Sequence, residues 1–250
     1  MKILAIGNSF SVDCLEYVYE ILHSLGVEKI ELGDLYIGGC SLQTHCKNLR
    51  DDLPAYEYWT NKTGEWKIIP DYKMGDAIAS KEWDVIFTQQ YSGHSGMAET
   101  YDDLDEVMAY VKNKQQGQPK YAWQMTWAYA KDATHPAFAD YQNSQQIMYE
   151  GIVNAVKTKI LPKKNITVIP SGTAIQNART ALGDTLNRDG FHLSYDVGRY
   201  IAGLCVVGAL TDLDVQKVAF APDGVDENTK QIAIKAVKAA IASPFEITKI

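Results

Sequence analysis

The chain is poor in cysteine: Cys14, Cys40, Cys46 and Cys205 are the only four in 250 residues, and none stand in CxxC spacing. That excludes a dense disulfide framework and gives no signal for a zinc site, so free thiols are expected. Positive charge is not in surplus either. With 24 basic and 31 acidic residues the net charge is -7, so a phosphate-rich partner would be repelled overall and no nucleic acid is expected. The densest basic stretch, KTKILPKK at 157–164, closes a helical pattern, where lysines complement the helix dipole. No apolar run approaches the roughly 18 residues of a membrane span, and Met1 leads directly into a strand with no signal-peptide regions. The expectation is a soluble protein, cytoplasmic from the sequence as given and periplasmic or secreted if a signal was trimmed. Internal repeats, low-complexity tracts and linkers are also missing. What is present, 46% apolar and 22% charged residues, excludes wholesale disorder, and the length suits one α/β domain over 1–250.

Strands and helices alternate along that length. KILAI at 2–6 is a short apolar run of strand length, and Val12, Leu15, Val18, Ile21, Leu22 and Leu25 then recur at helical spacing until Gly26 ends the helix. Further strands are expected within EKIELGDLYIGG, WDVIFTQ, YAWQMTW and ITVIP. Helices are expected in SLQTHCKNLR and near 101–115, 137–160 and 171–181, with a last amphipathic helix in ENTKQIAIKAVKAAIAS stopped by Pro244. Strands apolar on both faces, alternating with helices, imply a parallel sheet covered on both sides. The predicted architecture is a three-layer α/β/α, doubly wound parallel sheet of about five strands in the order 2-1-3-4-5. PAYEYWTNKTGEWKIIP breaks the rhythm with alternating aromatic and polar residues about a Thr-Gly turn signal, and reads as an inserted hairpin around 54–70.

In such a sheet ligands sit beyond the carboxyl ends of the strands, and four polar stretches lie there. In Gly7-Asn8-Ser9-Phe10-Ser11, Ser9 falls in a strand-to-helix turn whose N–H groups face any bound anion. Ser9 can be a nucleophile, the loop can cradle a phosphate, or Ser9 or Ser11 can simply cap the helix. In RDGFHLS, Asp189 and His192 are spaced so that a carboxylate can hold one imidazole nitrogen while the other points outward; a turn and a surface histidine are the alternative. Gly38-Gly39-Cys40-Ser41 offers an unobstructed backbone N–H or a tight turn. Gln89-Gln90-Tyr91-Ser92 ends an apolar strand on two amides, costly to bury without partners and so expected to face a polar cleft.

Together IGNSFS, GGCS, TQQYSG and DGFHLS resemble the four blocks of the SGNH (GDSL-type) hydrolase superfamily, spread from residue 7 to residue 192, in a bacterial branch with GNSF in its first block. The resemblance implies a catalytic triad of Ser9, His192 and Asp189, and an oxyanion hole from the Ser9 and Gly39 amides. The third block departs from the usual GxND. It is closer to the QGE variant of O-acetylesterase relatives, which places the last oxyanion donor on Gln90, with Gln89 the competing choice. The implied activity is hydrolysis of O-acyl, in particular O-acetyl, esters of a small molecule or carbohydrate, with no metal or other cofactor. Gln89, Tyr91, Trp127 and His135 are expected to line the substrate, and Trp59, Trp66 and Trp123 are further aromatic candidates for a cleft rim. Arg188 is either a substrate anchor or half of a surface ion pair. The rival readings are a flavodoxin-like module holding FMN or another phosphate at the Ser9 loop, and an inactive carbohydrate-binding relative.

Overall fold

A computed structural model describes residues 1–250. The strands are β1 (Lys2–Gly7), β2 (Glu31–Tyr36), β3 (Tyr56–Asn61), β4 (Trp66–Tyr72), β5 (Val85–Thr88), β6 (Lys120–Gln124) and β7 (Ile166–Ile169). The helices are α1 (Ser9–Leu15), α2 (Val18–Ser24), α3 (Leu42–Arg50), α4 (Met74–Ala79), α5 (Leu104–Lys114), α6 (Gln145–Ala155), α7 (Ser171–Leu182), α8 (Val197–Leu210) and α9 (Glu227–Ala242).

All strands join one sheet in the order β4-β3-β2-β1-β5-β6-β7. The parallel part, β2-β1-β5-β6-β7, has the predicted crossover pattern. The sheet nevertheless has seven strands rather than five, because the hairpin pairs antiparallel with β2 instead of standing apart. Its Tyr56 and Tyr58 are buried while Glu57 between them is exposed, so the alternating pattern is that of a strand laid on the sheet with one face covered. The result is the expected three-layer α/β/α sandwich.

Two cores lie on opposite sides of the sheet. The larger contains Ile3, Ala5 and Leu32 with residues of α1, α8 and α9. The smaller contains Leu4, Ile6 and Leu35 with residues of α3, α4 and α5. Adjacent residues of β1 thus serve different cores, which is why its sequence is apolar without alternation. The expected single helix over 12–25 starts earlier, at Ser9, and breaks into α1 and α2 around Glu16 and Tyr17. α8 is not marked by any periodicity, because it packs on α1, α7 and α9 and is buried nearly all round; an apolar stripe cannot stand out on such a helix.

Candidate active site

β1 ends at Gly7 and α1 begins at Ser9, leaving Asn8 as the hinge. Asn8 caps the helix: its Oδ1 accepts from the Phe10 N–H at 3.0 Å and from Gln89 Nε2 at 2.8 Å, and its Nδ2 donates to the Cys40 carbonyl at 3.0 Å. With Asn8 as cap, neither Ser9 nor Ser11 is needed for that task. Ser11 turns inward, where its hydroxyl meets the Asn8 carbonyl at 2.7 Å and the fully buried Asp34 carboxyl at 2.8 and 3.0 Å. Ser9, at the first helical position, keeps its side chain partly exposed and has a backbone N–H with no intrahelical acceptor.

His192 Nε2 lies 2.8 Å from Ser9 Oγ, although the two residues are 183 positions apart. His192 Nδ1 lies 2.7 Å from Asp189 Oδ2. The Nδ1 proton therefore faces the carboxylate, and Nε2 is left to accept from the serine. Asp189 Oδ1 also accepts the N–H groups of His192 at 2.8 Å and Phe191 at 3.2 Å. Gly190 allows this tight loop by adopting φ +88°. Burial acts to raise the Asp189 carboxyl, but the His192 ring and the two backbone donors outweigh it and hold the group below its ordinary value.

Gly39, in the loop after β2, adopts φ +63°, and its N–H has no acceptor within the protein. The Asn8–Cys40 bond ties its loop to the turn that carries Ser9. Tyr91 and His135 border the same space. The Tyr91 ring comes within 4.0 Å of where a Gly39 Cβ would lie, and its hydroxyl is 3.4 Å from His135 Nε2. His135 Nδ1 accepts from the Ala137 N–H at 3.2 Å, so the ring proton sits on Nε2. Burial, and secondarily His192, push this imidazole below its ordinary value and favour the neutral form. Its ring also meets Phe191 at 4.8 Å.

Other expected site residues are placed differently. Gln90 is not a free donor: its Nε2 is spent on the Thr100 carbonyl at 2.8 Å and hydroxyl at 3.1 Å, while its Oε1 accepts the N–H groups of Leu42 and Tyr91. It latches the loops after β2 and β5 together. Gln89 is wholly buried beneath Asn8 and supports the cap rather than lining an opening. Trp127 does not line a substrate cleft either, being fully buried. Its ring stacks on Phe10 at 4.2 Å and 5°, and its Nε1 donates to the Phe191 carbonyl at 2.8 Å, so it braces the neighbours of Ser9 and His192 at once. Trp123 is also core. Arg188 pairs with Asp13 at 3.0 Å; its partner is fully buried, not on the surface as an ordinary ion pair would be. Asp13 has no signature in the sequence, because an acidic residue inside a short helix carries no signal of its own.

A family profile described as a domain of unknown function, DUF4886, matches residues 2–240. The chain belongs to the DUF4886 family. A crystal structure of a DUF4886 protein from Bacteroides uniformis ATCC 8492 is similar over 100% of this chain and 98% of its own, with 39% identity and a TM-score of 0.96. More distant likenesses bear on the fold. A candidate SGNH hydrolase from Slackia heliotrinireducens has 17% identity and a TM-score of 0.53 over 84% of this chain and 99% of its own. A catalytic mutant of an acetylxylan esterase from Geobacillus stearothermophilus has 12% identity and a TM-score of 0.52 over 84% and 93%. No curated protein matches significantly. No helix of this DUF4886 chain is long and apolar enough to cross a membrane.

Proposed function

We propose that the chain is a serine esterase that removes O-acyl groups, acetyl in particular, from carbohydrate. The observation that carries the reading is the relay Ser9 Oγ to His192 Nε2 at 2.8 Å and His192 Nδ1 to Asp189 at 2.7 Å. Ser9 attacks the ester carbonyl as His192 takes its proton at Nε2, and the Asp189 carboxylate stabilises the resulting imidazolium. The Ser9 and Gly39 N–H groups hold the developing oxyanion. The tetrahedral intermediate collapses, His192 returns the proton to the departing sugar hydroxyl, and Ser9 retains the acyl group. Water then attacks the acyl-serine with His192 again as base, releasing the carboxylic acid and restoring Ser9.

The closely set rings of Tyr91, His135 and Phe191 favour a short acyl chain. The likeness to an acetylxylan esterase agrees with an acetyl ester on a sugar. A phosphate or FMN cradle at the Ser9 turn gives the Ser9–His192 bond no role.

The test is turnover of p-nitrophenyl acetate. Ser9→Ala and His192→Ala are each expected to lower kcat by about a thousandfold or more, and p-nitrophenyl octanoate is expected to be a poorer substrate than the acetate. Wild-type rates in both variants would refute the esterase reading.

A further inference from the structure

Three aromatic rings lead outward from the Gly38–Gly39 turn. Tyr36 closes β2, and its hydroxyl lies 3.3 Å from where a Gly38 Cβ would be. Trp59 of β3 follows with its ring centroid 5.5 Å from that of Tyr36, and Trp66 of β4 lies 6.4 Å beyond Trp59. Register explains the row. Asp34 pairs with Trp59, Trp59 with Ile68 and Asn61 with Trp66, so Tyr36 and Trp66 are diagonal neighbours of Trp59 on one face of the sheet. All three rings are partly exposed, and Ile68, directly opposite Trp59, is 51% exposed. Polar groups are interleaved: Trp59 Nε1 donates to Glu57 at 2.9 Å, and the Tyr36 hydroxyl has no protein partner.

A row of partly exposed rings of this kind is a candidate binding surface. Its edge is ill suited to another β-strand, because Pro70 of β4 offers no N–H, Asp71 adopts φ +53°, and the β3–β4 register slips beside Tyr56 and Tyr58. Such features blunt edge pairing. Rings alternating with a carboxylate and a free hydroxyl suit flat, hydroxyl-rich pyranoses, and the net charge of -7 favours neutral sugars over acidic ones.

We propose that Tyr36, Trp59 and Trp66 form a subsite for the sugar rings on the alcohol side of the ester, so that the substrate is an acylated neutral oligosaccharide rather than a single acylated sugar. The proposal rests on the esterase reading for its place in catalysis, but its binding can be measured without turnover.

Calorimetric titration of the Ser9→Ala protein with unacetylated tetraoses of β-1,4-linked glucose, xylose and mannose is expected to detect binding of at least one. Trp59→Ala and Trp66→Ala in that background should each weaken it about tenfold, with Trp59→Tyr restoring most of it. In the Ser9 protein, the ratio of kcat/KM for the matching acetylated tetraose to that for p-nitrophenyl acetate should fall about tenfold in the same tryptophan variants. Failure to bind any tetraose, equal losses on both esters, or a wild-type dimer that Trp59→Ala dissociates would overturn the subsite. Unimpaired turnover by Ser9→Ala would overturn the esterase reading alone, since the titration still reports on the rings.

Discussion

Two glutamines that are neighbours in the chain have separate tasks. Gln90 holds Leu42 and Tyr91 through its oxygen and Thr100 through its nitrogen, so removing it leaves the Ser9 and Gly39 N–H groups in place. Loss of an oxyanion donor costs about two to three orders of magnitude in kcat. Gln90→Ala is expected to change kcat by less than tenfold and to lower stability by about 1–3 kcal/mol through its orphaned partners. Paired p-nitrophenyl acetate kinetics and urea unfolding check this. A hundredfold loss of kcat at unchanged stability would return Gln90 to the oxyanion hole.

Between elements, β2 and α1 meet through a buried carboxyl. Ser11 has one hydroxyl proton, and the Asn8 carbonyl at 2.7 Å can only accept it. The same hydroxyl oxygen lies 2.8 and 3.0 Å from the two Asp34 carboxyl oxygens, to which it can donate that proton instead. Burial pushes the Asp34 carboxyl well above the ordinary 3.8, and the hydrogen bond donated by the Ser11 hydroxyl opposes this to a smaller extent. A carboxyl raised in the folded state favours folding fully below its unfolded value, and that contribution is lost as pH rises through the folded value. Asp34→Asn keeps the size of the side chain and removes the titrating group. It should unfold at higher urea than wild type at pH 8, with the gap narrowing steadily toward pH 4; a gap independent of pH would show Asp34 to be ionised in the fold.

The parallel strands and the Asp189–His192 spacing were legible in the sequence because apolar runs and short-range motifs are local. Other features are set by partners distant in sequence. Alternation in the hairpin says that one face is covered, not that β2 covers it. Trp127 reads equally as rim or core, and its place depends on Phe10 and Phe191. Nothing around Gln90 identifies Thr100 as the group that occupies its amide.

For the whole molecule, the relay requires α1 and the loop before α8 to stay in register across most of the chain. Asp13 holds them. Its fully buried carboxylate accepts the Leu193 N–H at 2.8 Å, Arg188 Nη1 at 3.0 Å and Arg199 Nε at 2.8 Å, and Arg188 also donates to the Leu193 carbonyl. Leu193 follows His192 directly, while Asp13 lies one turn beyond Ser9 on α1, so one carboxylate fixes both halves of the site. Asp13→Ala removes the carboxylate partner of Arg188 and one of the two of Arg199, which keeps Glu16 at 3.1 Å, and is expected to cost about 3–5 kcal/mol, read as a fall in the urea midpoint. Asp13→Asn preserves size and part of the hydrogen bonding, so it separates folding from alignment. In conditions where this variant remains folded by far-UV circular dichroism, kcat and the rate of Ser9 labelling by a fluorophosphonate should fall together, because both require Ser9 and His192 in contact. Trp127→Phe keeps the stack on Phe10 but loses the bond to Phe191, and should show the same paired loss in milder form. If Asp13→Asn labels at the wild-type rate, the alignment of Ser9 with His192 depends on the sheet alone, and Asp13 serves only the stability of the fold.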